Sequence, residues 1–285
     1  MGNLPPSIHI ANPGELQRKI NACKRDGSKH LHVISDFDRT LTKAFVEGKR
    51  FLSSYALIRE GKYLTPDYPT RAHALFEKYH PFEVSSTISV VERNQQMVQW
   101  WSEHFELMKE CGLNKRVISD IALQRKIRFR DGALEFLDLL STYNVPILIL
   151  SAGVGDIIKE LLESEGRVTS NLHLISNFYL FDELGKVIGK KNKTFIHTFN
   201  KNEVEVKKTP YYKEIAQRKN VLLLGDSLGD LGMTEGIEHK IIIRVGFLNE
   251  NKEEFLQRYM NSFDVVITDD GDMGYVNYLL TEILG

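Results

Sequence analysis

Cysteine is almost absent from this chain: among 285 residues only Cys23 and Cys111 occur. Two distant thiols make neither a disulfide framework nor a metal-binding cluster, and they suit a reducing compartment. An excess of one charge is missing as well. Lys and Arg total 37 against 38 Asp and Glu, a formal net charge of -1. Without a long basic stripe, a nucleic-acid polymer is not an expected partner. The densest basic stretch, Lys186 to Lys193, contains Gly and reads as an exposed, solvated hairpin. Long apolar runs are lacking too. Segments such as Val145–Leu150 fall far short of the ~20 residues that span a bilayer. The start, Met1-Gly-Asn-Leu-Pro-Pro, shows no signal-peptide pattern, and Pro6 stands where myristoylation wants Ser or Thr. Asn192-Lys193-Thr194 fits a glycosylation acceptor, which means nothing without secretion. The expectation is a cytoplasmic protein, a monomer, with no membrane partner.

What is present is a substantial apolar fraction, 42%, enough for a large core. Apolar β-type runs recur at Leu31–Ser35, Pro146–Leu150, Leu172–Ile175, Val221–Leu224, Ile241–Val245 and Val265–Thr268. Helical patterns lie between them, at 132–143, 156–165, 211–218, 250–260 and 273–284. This alternation predicts an α/β fold with a mainly parallel sheet covered on both faces. Function in such folds gathers at the carboxyl ends of the strands. One stretch breaks the rhythm. From 43 to 126 the pattern is helical, with segments at 69–79, 94–111 and 114–125. It reads as a helical cap (43–126) inserted into a core (1–42 and 127–285), standing over the end of the first core strand as a lid.

That strand ends in Ser35-Asp36-Phe37-Asp38-Arg39-Thr40. Period-two alternation starts Asp36 and Asp38 on the same side of the chain. Like charges that close repel, and a hard oxygen-ligand cation such as Mg2+ relieves them. By the same alternation Arg39 is expected to point away from both carboxylates. Ser151-Ala152-Gly153-Val154-Gly155-Asp156 follows a second strand and leads into a helix, which makes a phosphate cradle or a plain N-cap. Gly225-Asp226-Ser227-Leu228-Gly229-Asp230 follows a third strand. Asp226 is placed to share a cation with Asp36, and Asp230 sits in the first helical turn as a supporting acid. Lys201, in His197-Thr-Phe-Asn-Lys201, can neutralise a phosphoryl oxygen.

The order carboxylate pair, small hydroxyl, lysine, Gly-Asp-x-x-x-Asp resembles haloacid dehalogenase-like phosphatases. Ser35-Asp-Phe-Asp-x-Thr-Leu, Ser151-Ala-Gly-x-Gly-Asp, Ser176-Asn-Phe, His197-x-Phe-Asn-Lys201 and Leu224-Gly-Asp-Ser-x-Gly-Asp-Leu231 together resemble the cytosolic pyrimidine 5'-nucleotidase family, also called cytosolic 5'-nucleotidase III, from about Ile10 onward. The resemblance implies a Rossmann-like haloacid dehalogenase-type core with a helical cap. It implies Asp36 as nucleophile and Asp38 as acid/base. It implies phosphate held by Ser151, the backbone at Ala152 and Lys201, and Mg2+ held by Asp36, the carbonyl of Asp38 and Asp226. Pro81-Phe-Glu83-Val resembles the segment whose Glu contacts the nucleotide base. His104 stands where the family usually has a base-facing Ser, which leaves CMP, UMP and 7-methyl-GMP open as substrates. Trp100 and Trp101 suit either base stacking or the core. The expected function is Mg2+-dependent hydrolysis of nucleoside 5'-monophosphates. The alternatives are a 7-methylguanosine 5'-phosphate nucleotidase or another small-molecule phosphatase of the superfamily, and then a non-catalytic binding protein on the same fold.

Overall fold

Each apolar run that lies between two packed faces can satisfy its backbone only by pairing with another strand. In the computed structural model, which describes residues 4–85, 87–124, 127–201, 206–207 and 209–285, the strands are β1 (Ile8–Ile10), β2 (Leu31–Ser35), β3 (Phe45–Val46), β4 (Lys49–Arg50), β5 (Ile147–Val154), β6 (Leu172–Asn177), β7 (Tyr179–Phe181), β8 (Val187–Lys190), β9 (Asn220–Gly225), β10 (Ile241–Leu248) and β11 (Val265–Thr268). Seven of them form one sheet in the order β1-β11-β10-β9-β2-β5-β6. All its pairs are parallel except the edge strand β1, which runs antiparallel to β11. From β2 the chain fills one side through β5 and β6, then crosses to fill the other through β9, β10 and β11. The reversal opens a crevice at the carboxyl ends of β2 and β9, where ligands bind in sheets of this kind.

Helices α1 (Pro13–Asp26), α6 (Ala133–Thr142), α7 (Gly155–Ser164), α8 (Pro210–Ile215), α9 (Lys252–Met260) and α10 (Gly274–Leu284) belong to the core; α2 (Ser54–Glu60), α3 (Tyr68–Val84), α4 (Val90–Glu110) and α5 (Lys115–Leu123) lie between β2 and β5. The α/β architecture and the helical insertion match expectation. The ends of the predicted helix 114–125 and of the predicted cap, Arg125 and Lys126, lie outside the described residues, as do Met1 to Asn3. The sequence reading missed β1, α1 and α2, and the small β3–β4 hairpin inside the insertion. It stopped α3 at Tyr79, whereas the helix runs through Pro81 to Val84. Pro81 has no N–H to give to the carbonyl of Glu77, so the last turn of the helix forgoes that bond. The basic stretch 186–193 does form a hairpin, β8 pairing antiparallel with β7.

α3 and α4 pack along each other, and α5 packs on α7 of the core. Insertion and core share one apolar cluster, in which Tyr55, Ile58, Phe105 and Ile118 join Val33, Leu222 and Val245. The two connecting segments run antiparallel. Lys43 N–H donates to the Arg128 carbonyl at 3.0 Å, and Arg130 N–H to the Leu41 carbonyl at 2.8 Å. Among the described residues no helix is long and apolar enough to cross a membrane.

Candidate active site

β2 is buried throughout and ends at Ser35. Beyond it the chain turns at once: Thr40, Leu41 and Thr42 all donate their N–H to the Phe37 carbonyl. Phe37 anchors the turn, fully buried, and Asp36 is fixed by its N–H to the Leu224 carbonyl of β9 at 3.0 Å. Both Asp36 and Asp38 face one cavity. The strand pleat does not place Asp38, because the extended geometry stops before it. Nor does it place Arg39. Arg39 has a left-handed φ of 60°, which breaks the alternation, and its side chain lines the same cavity. The expectation that it points away is overturned.

Asp226 follows β9 on the other side of the crevice. Single carboxylate oxygens of Asp36, Asp226 and Asp230 lie within 4.8 Å of one another. Asp230 stands in a 3-10 turn, Leu228–Thr234, rather than an α-helix. Its Oδ2 accepts from the Ser227 N–H at 3.0 Å and the Ser227 hydroxyl at 2.9 Å. A Cβ on Gly225 would sit 2.5 Å from the Asp230 Cβ, so only glycine fits there. Lys201 donates to Asp36 Oδ1, and to Asp230 Oδ1 at 3.1 Å. Burial opposes its charge, but the Asp230 and Asp36 carboxylates outweigh that and hold its pKa above the usual Lys range. Burial first, then the neighbouring Asp230 and Asp38 carboxylates, raise Asp36 to about 7 against the pull of Lys201. Burial raises Asp38 to about 6, with Lys201 and Arg39 opposing. Burial and the Asp36 charge push Asp226 well above its ordinary value. Among the described residues no donor bonds to the side chains of Asp38 or Asp226. Surplus buried negative charge on an all-oxygen donor set fits a hard divalent cation such as Mg2+.

β5 supplies the third side. Its ladder to β6 shifts register between Leu150 and Val154, so Ser151, Ala152 and Gly153 leave regular pairing. Such bulges re-aim chain at active sites. Ser151 Oγ accepts from the Gly153 N–H at 3.0 Å. The Ser176 hydroxyl holds the Gly153 carbonyl at 2.9 Å, and Asn177 Nδ2 holds the Ala152 carbonyl at 2.8 Å. Asn177 also bonds both the N–H and the carbonyl of Ile196. This ties the Ser151 bulge to the segment that carries Lys201. A Cβ on Gly153 would fall 2.7 Å from Ser54 Oγ and 3.2 Å from Asp38 Oδ2. Glycine therefore lets β5, α2 and Asp38 close together.

These groups floor a cavity of about 590 Å³, within the range of small-molecule sites. Its upper walls come from α2, α3 and α4 and include Tyr55, Phe76, Glu83, Trp100, Trp101 and His104. Trp100 and Trp101 stack at 5.6 Å with planes 10° apart, and Trp101 continues onto His104 at 6.2 Å. Both tryptophans thus belong to an aromatic cluster and line the cavity as well. His104 Nε2 and the Tyr68 hydroxyl bond at 2.9 Å; burial, then Arg59, lower its pKa to about 4. Glu83 lies in the last turn of α3, where the helix dipole disfavours an acid. Its Oε1 accepts from the Thr198 hydroxyl of the core at 2.9 Å.

Sequence reasoning missed Arg39 and Gly153 as cavity residues, and Ser54, Thr198 and Arg130 as residues packed or bonded to those that line it. Gly153 stood inside a motif already noticed. Arg130 had no local signal. It is 2% exposed, with its guanidinium on the carbonyls of Arg39 at 2.6 Å, Thr40 at 2.9 Å and Gly271 at 2.6 Å. It also pairs with Asp270 at 3.0 Å, while Asp270 accepts the N–H groups of Ala44 and Phe45. The pair pins both connections to the insertion beside the Asp36–Thr40 turn.

The chain is similar to known proteins over nearly its whole length. The profile of the pyrimidine 5'-nucleotidase (UMPH-1) family matches residues 39–284. A 7-methylguanosine phosphate-specific 5'-nucleotidase from Mus musculus is 35% identical over 279 residues, covering 98% of this chain and 93% of that protein. A putative cytosolic 5'-nucleotidase 3 from Caenorhabditis elegans is 34% identical over 270 residues, covering 92% of this chain and 72% of that protein. The crystal structure of cytosolic 5'-nucleotidase IIIB bound to cytidine superposes with a TM-score of 0.88 at 30% identity, covering 98% of this chain and 94% of that one. With matching sequence from end to end, a shared fold and a cavity floored by carboxylates and a lysine, this chain belongs to the pyrimidine 5'-nucleotidase family and is a phosphomonoesterase.

Proposed function

We propose that this protein hydrolyses the 5'-phosphate of nucleoside monophosphates, pyrimidine nucleotides first, through an aspartyl-phosphate on Asp36. One observation carries the reading: a single cavity has Asp36, Asp38, Lys201 and Asp226 at its floor, and Glu83 with stacked aromatic rings in its walls. Such a cavity has a charged end for phosphate and a flat apolar end for a base. Residues 43–126 act as the cap that carries the base end, and 1–42 with 127–285 as the core that carries the chemistry. The protein acts on small nucleotides in the cytosol, as a monomer.

Asp36 attacks phosphorus in line, which divides one hard displacement into two easier ones. Its carboxylate is held by the bond from Lys201. Asp38 protonates the departing nucleoside oxygen and then takes a proton from the water that cleaves the acyl phosphate. A pKa raised to about 6 by burial suits a group that must both give and accept a proton near neutrality. Ser151, the bulged backbone at Ala152 and Lys201 hold the phosphoryl oxygens. Asp36, Asp226 and the carbonyl of Asp38 would hold Mg2+, with Asp230 in support, and the ion would neutralise phosphate charge.

A second reading is 7-methyl-GMP as the preferred substrate. The combination of the Glu83 carboxylate with the Trp100–Trp101 stack favours it, because a 7-methylated purine is cationic. A phosphate-release screen over CMP, UMP, AMP, GMP and 7-methyl-GMP with Mg2+ tests both. Turnover of a generic phosphomonoester with none of these nucleotides would overturn the nucleotidase reading.

A further inference from the structure

The charge at the cavity floor does not balance with the groups assigned so far. With Asp38 carrying the proton it must donate, the side chains of Asp36, Asp226 and Asp230 already use up the charge of Lys201 and a divalent cation, leaving none at this end to offset an incoming phosphate. A phosphate dianion must still enter it. Lys201 has little left to give, since its ammonium is already bonded to Asp36 and Asp230. Another cation facing the same space is Arg39.

Arg39 is placed by its backbone. Its left-handed φ of 60° is uncommon for a non-glycine residue. Three bonds hold it there. Its N–H donates to Thr42 Oγ1 at 2.8 Å; its carbonyl accepts from Arg130 Nη2 at 2.6 Å and from Asn249 Nδ2 at 3.1 Å. The conformation turns the side chain into the cavity beside Asp38. Among the described residues no hydrogen bond or ion pair occupies its guanidinium. It lies near enough to favour the charged forms of Asp38 and Asp226. A planar guanidinium with open donors matches phosphate oxygens in pairs.

We propose that Arg39 is a phosphate-binding residue, donating to the non-bridging oxygens of the substrate together with Lys201. The inference deepens the phosphomonoesterase reading and rests on it. Because the contact is to phosphate, it applies to any phosphomonoester that enters, whatever its leaving group. Arg130 then acts as a positioning residue, since it fixes the carbonyl that fixes Arg39.

The test uses the whole chain with Mg2+ and compares Arg39→Met and Arg39→Lys with wild type. The readouts are the inhibition constant of inorganic phosphate and KM for p-nitrophenyl phosphate. Loss of a charge-assisted contact in Arg39→Met should weaken both by about tenfold or more, with Arg39→Lys regaining part of the loss. Thermal unfolding of each variant separates this from a folding defect, and Arg39→Gln replaces Arg39→Met if the latter does not fold. Phosphate inhibition within about twofold of wild type in a folded variant overturns the proposal. So does a KM change confined to nucleotides with p-nitrophenyl phosphate unaffected, which would place Arg39 on the nucleoside. Absence of nucleotide turnover with normal p-nitrophenyl phosphate hydrolysis counts against the nucleotidase reading alone.

Discussion

Glu83 accepts a hydrogen bond from Thr198 at 2.9 Å, joining the last turn of a helix in the insertion to the core loop that carries Lys201. One carboxylate oxygen is thereby fixed, and the cavity that Glu83 lines is the same one that Lys201 lines. The contact links the residue expected to read the base to the residue expected to hold the phosphate.

Substituting Glu83 by Ala should raise KM for nucleotides and leave p-nitrophenyl phosphate nearly unchanged. A lost charge-assisted hydrogen bond is worth about 1.5–3 kcal/mol to the nucleotide alone. Thr198→Val should give a smaller shift of the same kind, because the carboxylate stays but loses its anchor. Steady-state kinetics on both substrates checks this, and equal effects on the two would remove Glu83 from the base site.

Asp36→Asn should abolish turnover and leave the fold intact. The amide keeps the shape, but nucleophilicity and one ligand charge are lost. Phosphate release together with circular dichroism decides it. Residual activity within about tenfold of wild type, roughly 1.4 kcal/mol of barrier, sinks the nucleophile assignment.

Activity should require Mg2+, with Ca2+ a poor replacement. The carboxylates of Asp36, Asp226 and Asp230 make a small all-oxygen site, whereas Ca2+ takes more ligands at longer distances. Full turnover in excess chelator refutes this.

Arg130→Met should destabilise the protein by about 3–5 kcal/mol. It removes one half of a buried pair, leaves Asp270 without its counter-charge and takes the guanidinium away from the carbonyls of Thr40 and Gly271. Arg130→Lys should recover only part, since an ammonium cannot reproduce the fork. Urea unfolding at neutral pH gives the difference directly.

His104 should make the fold acid-sensitive. Burial, then Arg59, lower its folded pKa from 6.5 to about 4, and it packs against Tyr68, Tyr55 and Trp101. Between those two values the unfolded chain binds the proton and the folded chain does not. The contribution is therefore full above pH 6.5 and is lost as pH falls toward 4, by about 3 kcal/mol. Wild type and His104→Gln should diverge by that order between pH 7 and pH 4 in unfolding free energy. Parallel profiles would count against it.

The sequence alone determined the parallel sheet, the insertion and the order of the motifs. Its signals were local: apolar runs long enough for buried strands, and short polar motifs that follow them. The burial of β2 and β9 and the positions of Asp36 and Asp226 at their ends follow from those runs. Only the tertiary structure decided what surrounds the motifs. Arg130 reaches three carbonyls from a segment 90 residues away from Thr40, and no periodicity marks a buried guanidinium. Thr198 finds Glu83 across the cavity because the insertion folds back onto the core. Arg39 enters the cavity because a left-handed residue ends the pleat. Alternation along a strand predicts side-chain direction only while the chain stays extended. Here it turns at Phe37, and from that point packing and hydrogen bonds from distant segments set where each side chain points.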